Sequence, residues 1–376
     1  MKKRRDRNPW NMLSDEMVET VLALLPTLDF YRCQFVCKRW SSIINSPTFE
    51  TASHEIFNRR PWFLIFNKLP ASVLVYDMEI CDWRTRLKLL LPTQIRKKPC
   101  IPVVSSGGLM CFQSVANSYV VCNPFTGSVR SLPRFRLSKK FRGGWIAMHV
   151  PQGSNSYKLF LVCGTWPDMV MKVFSPGEKR AMWKSLSLKL LTKEHEPWSI
   201  WDRGVTVIGN EQQILLYYLT LDGNLVCIDT EKCTIAIYSR LLEGDNFFTM
   251  DLVECGGRVF VAVLMETGGM SSSMKRMLHV WEFDIESAAW KQTSVLPANL
   301  SKDYYNNEAL ITCSGHGEYI MICVNSIIED TSFNHVVIYN LKENTWTDLS
   351  PCSGDFTGDV KVLLPYSFKP DIKARV

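Results

Sequence analysis

Thirteen cysteines and six histidines are the residues of this 376-residue chain best suited to bind metals or attack carbon. Their spacing argues against either use. The histidines, at positions 54, 149, 195, 279, 316 and 335, form no His-x-x-x-His or His-Glu-x-x-His pair. No Cys-x-x-Cys occurs, and Cys33 and Cys37, one helical turn apart, have no third or fourth ligand nearby in the sequence to make a zinc site. Cys111, Cys122, Cys163, Cys227 and Cys323 sit inside apolar, strand-like runs, where cysteine acts as a small buried hydrophobe; free thiols in a reducing compartment are the expected state. There is no Gly-x-Ser-x-Gly elbow and no phosphate-binding glycine loop with lysine. Gly315-His316-Gly317 lacks a third glycine at the required place and reads as a turn. No catalytic, metal or cofactor site is expected, although a site assembled from distant segments would escape a spacing test.

The elements that position these residues follow from composition and periodicity. A chain of this length holds two or three domains, or a small module beside one large β architecture. Hydrophobic residues make up 46% and charged residues 21%, the balance of a folded protein with ample apolar surface to bury. No run reaches the roughly 18 apolar residues of a membrane helix, and the basic start has no apolar signal core behind it, so no membrane association is expected. Of the net charge of +6, +4 lies in Lys2, Lys3, Arg4, Arg5 and Arg7 against Asp6. The nearly neutral remainder argues against nucleic-acid binding, and the basic tip reads as a frayed end or a nuclear-import signal.

Residues 13–26 predict one amphipathic helix: Ser14 as N-cap, Asp15 and Glu16 at the positive end of the dipole, and Pro26 as the stop. Met17, Val21 and Leu25 share a face flanked by Val18 and Leu22. A second helical segment opens at Thr27 or Asp29 and carries Phe30, Cys33, Phe35, Val36, Cys37, Trp40, Ile43 and Ile44 before Asn45-Ser46-Pro47 breaks it. A bundle of roughly 40 residues is too small to bury so many apolar side chains, which implies a partner or docking on the rest of the chain.

Downstream, one pattern recurs: a strand ending in Asp or Asn, a turn, then Trp six residues on. It occurs at Asp77 to Trp83, Asp284 to Trp290 and Asn340 to Trp346. Asn123 to Val129 and Asp229 to Ile235 keep the spacing without Trp, and Ser175 to Trp183 has two extra residues. These six anchors lie 46 to 56 residues apart, room for four strands each. The Asx side chain can bond backbone N–H groups two residues on and start a hairpin, and Trp83, Trp183, Trp290 and Trp346 would fill the wedges between sheets. Glycine-bearing turns at 107–108, 153–155, 209–210, 256–257 and 315–317 divide the two inner strands of five units. The first unit lacks a fourth strand, and the run at 360–364 has no unit of its own. The expectation is a ring of six sheets closed by that last strand.

The stretch Leu13-Ser14-Asp15-Glu16-Met17, then Leu25-Pro26, then Val36-Cys37-Lys38-Arg39-Trp40-Ser41-Ser42-Ile43-Ile44 and Ser46-Pro47-Thr48-Phe49 resembles the F-box. The repeats, with phrases such as Arg60-Pro61-Trp62-Phe63, Ser106-Gly107-Gly108-Leu109 and Asn123-Pro124-Phe125-Thr126-Gly127, are similar to a kelch-type propeller. From Trp10 onward the chain looks like a plant-type F-box/kelch-repeat protein. The resemblance implies an α+β multidomain fold: a basic tail at 1–9, an F-box helical bundle at 10–50, a linker at 51–60, an all-β six-bladed propeller at 61–368 and a C-terminal tail at 369–376. It further implies binding of a Skp1-like adaptor through Leu13, Met17, Leu22, Leu25, Pro26, Val36, Cys37 and Trp40. Through that adaptor would come the cullin and RING subunits of an SCF ubiquitin ligase, and the propeller would hold a target protein. Ser14 where the family usually has proline, and bulky Phe35 where a small or polar residue is commoner, depart from the pattern.

In a four-strand blade the first-to-second and third-to-fourth turns share one rim. The other rim carries longer loops here, at 134–144, 191–201, 266–276, 298–307 and 325–334. Target capture is expected on this second rim, with Arg136, Lys139, Lys140, Arg142, Trp166, Trp198, Trp201, Tyr304 and Tyr305 as candidates, although such residues serve equally to pack on the blade beneath or to face solvent. The expected function is a non-enzymatic substrate receptor in the nucleus or cytoplasm, without cofactor. A non-proteolytic scaffold or transcriptional co-regulator, and a ligand-sensing or enzymatic propeller, are the alternatives.

Overall fold

The computed structural model describes residues 9–56, 60–67, 73–84, 87, 89–96, 100–114, 118–135, 144–151, 156–165, 168–177, 182–191, 206–209, 213–220, 223–241, 247–267, 275–302, 305, 309–328, 331–349 and 362–376. The chain forms two compact units, Met1–Trp62 with Asp77–Asp82, and Phe63–Tyr76 with Trp83–Val376.

In the first unit a short 3-10 turn, Pro9–Met12, leads into α1 (Asp15–Ala23), α2 (Thr27–Cys33), α3 (Lys38–Ile44) and α4 (Pro47–Ile56). Ser14 caps α1 by accepting from the Met17 N–H at 3.3 Å. The helix ends at Ala23 rather than running on to Pro26. A residue preceding proline is pushed out of the helical region, and the Leu25 N–H instead closes a tighter turn on Leu22 O at 3.1 Å. Pro26 brings no capping side chain to α2; the Glu79 carboxylate supplies one, accepting from the Thr27 N–H at 2.7 Å and its hydroxyl at 2.8 Å. Pro47 does more than break α3, because its fixed φ suits the first position of a helix. The Ser46 hydroxyl caps α4 by accepting from the Phe49 N–H at 3.1 Å. Helix α4 therefore extends into the segment expected as linker. Val18, Leu22, Ala23, Phe30, Ile43, Ile44 and Phe49 form the core of the bundle.

The second unit is a six-bladed β-propeller. Blade one combines β1 (Trp62–Asn67), β2 (Val73–Asp77) and β3 (Asp82–Trp83) with the last strand of the chain, β25 (Leu363–Phe368). Blade two is β4 (Cys100–Ser106), β5 (Leu109–Ser114), β6 (Tyr119–Cys122) and β7 (Val129–Ser131), preceded by the short helix α5 (Thr93–Arg96). Blade three is β8 (Trp145–His149), β9 (Lys158–Thr165), β10 (Asp168–Phe174) and β11 (Lys184–Ser187). Blade four takes β12 (Lys189–Leu190) onto the edge of β13 (Thr206–Gly209), β14 (Ile214–Leu219), β15 (Leu225–Asp229) and β16 (Thr234–Tyr238). Blade five is β17 (Phe247–Cys255), β18 (Arg258–Thr267), β19 (Lys275–Asp284) and β20 (Ala289–Val295); blade six is β21 (Ala309–His316), β22 (Tyr319–Ile328), β23 (Thr331–Asn340) and β24 (Thr345–Leu349). The innermost strands β25, β4, β8, β13, β17 and β21 neighbour one another in that cyclic order. The closing strand is the one expected, three residues further along the chain.

Among the described residues, five of the third-to-fourth turns are built as their anchor residue predicts; the turn after Ser175 lies partly outside the described residues. Asp77 accepts from the Glu79 N–H at 2.8 Å, Asn123 from Phe125 at 2.9 Å, Asp229 from Glu231 at 3.0 Å, Asp284 from Glu286 at 3.0 Å and Asn340 from Lys342 at 3.0 Å. Four residues after each anchor the backbone turns left-handed, at Cys81, Gly127, Cys233, Ala288 and Asn344. That turn aims the sixth residue into the wedge. Trp290 lies 5.0 Å from the Phe283 ring and donates to Ser239 O in the preceding blade at 3.3 Å. Trp346 lies 4.7 Å from Tyr339 and donates to the Ser294 hydroxyl at 3.0 Å, and Trp183 donates to Pro133 O at 2.9 Å. Trp83 meets Tyr76 edge to face at 5.1 Å.

Blades two and four, which lack the Trp, borrow leucines from the crossover before them. Leu188 and Leu190 join Ile214, Ile228 and Ile235 in one cluster, with β12 running parallel to β16. Ahead of blade two, Leu89 and Leu91 are buried, and the Leu90 N–H bonds Pro124 O at 2.7 Å.

Ring closure is made by side chains as well as by the β25–β1 ladder. Buried Asn325 accepts from the Leu363 N–H at 2.8 Å, and the Thr312 hydroxyl donates to Leu363 O at 2.7 Å. On the other flank, Ser105 donates to Ser367 O and Tyr366 to Pro102 O, both at 2.7 Å.

Candidate functional site

The helical bundle presents more apolar surface than it buries. Val18 and Leu22 turn inward from α1, so Met17, Val21 and Leu24, at positions i, i+4 and i+7, form an exposed stripe along its outer side. A second exposed pair, Phe35 and Val36, caps the turn between α2 and α3; Phe35 is 89% exposed, an extreme value for a large apolar side chain. Beside it a shallow hollow is lined by Gln34, Cys37, Lys38, Ser41, Ser42 and Asn45. An apolar surface ringed by polar groups is the form of a protein-binding site.

Arg39 holds the frame. Its guanidinium donates to the Asp15 carboxylate at 2.7 Å, to Trp10 O at 2.8 Å and to Leu13 O at 2.6 Å, tying the start of the chain to α3. Trp10 packs edge to face on Trp40 at 4.9 Å. Hydrogen bonds to its own backbone N–H and to the Ser14 hydroxyl hold the Glu16 carboxyl below its ordinary value, keeping it charged at the positive end of α1.

The residues expected to meet an adaptor therefore separate. Met17, Val36 and Cys37 are exposed; Leu13, Leu25, Pro26 and Trp40 are half-buried at the rim of the bundle. Leu22 is 1% exposed and belongs to the core, so its place among the contact residues is corrected. Leu24, seven residues after Met17, is the position that continues the stripe in helical phase, and it is exposed where Leu25 is half-buried. Val21, Leu24 and Phe35 belong to the exposed surface.

On the second rim, Arg136, Lys139, Lys140, Arg142, Trp166, Trp198, Trp201 and Tyr304 lie outside the described residues. Tyr305 is fully buried and is not a surface residue. Its hydroxyl and His335 Nδ1 make a 2.5 Å hydrogen bond, while His335 Nε2 lies 3.0 Å from Asp348, which pairs with Lys302 at 3.1 Å. This anchors the crossover into blade six.

The described cysteines are free. Burial pushes the Cys122 and Cys255 thiols up to about 12 and Cys227 up to about 11, so these groups stay protonated and unreactive. Among the described residues no three His, Cys, Asp or Glu side chains are grouped to hold a metal ion, and no helix is long and apolar enough to cross a membrane.

With this geometry in hand, comparison with known proteins is specific. A model of the F-box domain matches residues 10–51, and one of the F-box associated beta propeller domain matches residues 85–350. F-box only protein 13 of Arabidopsis thaliana is 28% identical, the match covering 98% of this chain and 86% of its relative. F-box only protein 6 of the same plant is 23% identical over 93% of this chain and 71% of its own length. An Arabidopsis F-box/kelch-repeat protein is 22% identical over 92% and 83%.

Proposed function

Since the chain belongs to the F-box proteins that carry an F-box associated β-propeller, we propose that it is the substrate-recognition subunit of an SCF-type ubiquitin ligase. An F-box marks binding of a Skp1-type adaptor in general terms. The adaptor would bring cullin and RING subunits, and the propeller would present a target protein. Catalysis would lie with those partners; this chain contributes proximity, raising the effective concentration of acceptor lysines near the conjugating enzyme. Such a receptor works in the nucleus or cytoplasm and needs no cofactor.

The observation that carries this reading is the exposed stripe Met17, Val21 and Leu24 with Phe35 and Val36, on helices whose own core is already filled. Burying five such side chains at about 1.5–3 kcal/mol each leaves ample free energy for stable association after the cost of docking.

Affinity purification of the intact chain beside a Met17→Glu/Leu24→Glu variant tests it. Both side chains are exposed, so the fold is expected to survive. The expected result is selective loss of adaptor and cullin while other retained proteins persist as target candidates. Adaptor retained without cullin would favour a non-proteolytic scaffold, and no adaptor on the unmodified chain would overturn the proposal.

A further inference from the structure

The segment after the closing strand, 369–376, does not trail away from the propeller. It lies on the first rim of blade two. The Lys369 N–H bonds Gly107 O at 3.0 Å, and the buried Asn123 carboxamide donates to Asp371 O at 2.7 Å and to Ala374 O at 3.1 Å. The Lys373 N–H folds back on the Asp371 carboxylate at 2.7 Å, giving the segment a turn that points both carbonyls at Asn123. Gly108 is the floor: a Cβ there would stand 2.9 Å from the Asp371 Cβ and 3.0 Å from the Ala374 Cβ. Ala374 and Val376 pack against the core shared by blades two and three.

Two choices of residue point to a site built for a peptide. At positions 77, 229 and 284 the turn anchor is Asp, whose oxygens make the turn but which has no N–H to offer, and at 340 it is a second Asn, whose oxygen accepts from the Lys342 and Glu343 N–H groups. Asn123 makes the same turn with its oxygen, to the Phe125 and Thr126 N–H groups, and turns its amide outward to two backbone carbonyls. Gly108 adds a surface onto which another backbone can lie flat. Recognition of main chain by main-chain and carboxamide groups is what lets a site accept segments by shape rather than by one side chain.

We propose that Gly107, Gly108 and Asn123 form a peptide-binding site on the first rim, filled here by the chain's own residues 369–376 and open to protein segments of the same pattern when that tail is displaced. The fitting segment offers two backbone carbonyls three residues apart, an acidic residue at the first, a small residue at the second and an aliphatic residue two positions further on. This site is distinct from the helical bundle and from the long loops of the other rim, and it does not rest on the ubiquitin-ligase reading. The tail acts as a resident competitor, tethered at an effective concentration in the millimolar range.

The test uses full-length protein and a fluorescently labelled peptide of residues 369–376, with a scrambled peptide as control. Ala374→Trp cannot lie on Gly108, so it displaces the tail and leaves the site intact; faster hydrogen exchange across 369–376 reports the release. The labelled peptide is expected to bind Ala374→Trp at least tenfold more tightly than the unmodified chain. Adding Asn123→Asp, which keeps the turn oxygen and removes only the donor, should weaken that binding at least tenfold. The proposal is overturned if exchange across the tail is unchanged in Ala374→Trp. It is equally overturned if the peptide binds all three proteins alike or no better than its scramble.

Discussion

At the scale of single residues, the propeller repeats one backbone device five times and fits it with unequal side chains. Glycine takes the left-handed position only at Gly127, whereas Cys233 and Ala288 adopt φ of 53° and 51° there. A Cβ costs about 1 kcal/mol in that region, so Cys233→Gly and Ala288→Gly should each raise stability by about 0.5–1 kcal/mol in urea unfolding. His316 makes a pH-dependent contribution. Burial, with Lys369 nearby, lowers its pKa from 6.5 to about 4, so the native state holds it neutral while the unfolded chain takes up a proton below about 6.5. Its share of stability is thus present above pH 6.5 and lost as pH falls towards 4; His316→Gln should narrow the gap between unfolding midpoints at pH 7 and pH 4.5. The Asx anchors were legible because a short side chain two residues from the N–H groups it bonds leaves a local signature. The burial of Tyr305 was not, since its partner His335 is thirty residues away, on the third strand of the blade that the Tyr305 crossover leads into.

At the scale of elements, the four wedge tryptophans were visible as a period, but what replaces them was not. The sequence Leu-Lys-Leu-Leu occurs at 87–90 and again at 188–191, each time ahead of a blade without Trp. That repeat is the signal in the sequence, and it lies in a crossover rather than at the anchor spacing. Filling a wedge from the crossover makes those leucines as important as the tryptophans. Leu188→Ala should cost about 2–4 kcal/mol in blade four, and Trp346→Phe, which deletes the bond to Ser294 and part of the indole, about 1–2 kcal/mol; chemical denaturation measures both. Among the helices, the end of α1 and the start of α4 differ from the periodicity for one reason. Proline acts through the residue before it at Pro26 and as a helix initiator at Pro47, and a hydrophobic pattern alone does not distinguish these roles.

At the scale of the whole molecule, one strand from the far end of the chain completes the ring, and a small bundle leaves Met17, Val21, Leu24, Phe35 and Val36 exposed. Asn325 links the last strand to blade six, so Asn325→Ala should cost about 2–4 kcal/mol and speed hydrogen exchange through 363–368 before the rest of the propeller. The propeller and the bundle were readable because both repeat known spacings; a surface assembled from separate segments of the chain leaves no such spacing to read. The exposed face of the bundle is proposed as an adaptor-binding surface. Its most direct test is a calorimetric titration of purified Skp1-type adaptor into the full chain and into Met17→Glu/Leu24→Glu. Tight binding with a negative heat-capacity change, weakened at least a hundredfold in a variant that melts like the parent, is the predicted result. Equal affinity of the two proteins, or no binding by the unmodified chain, would contradict it.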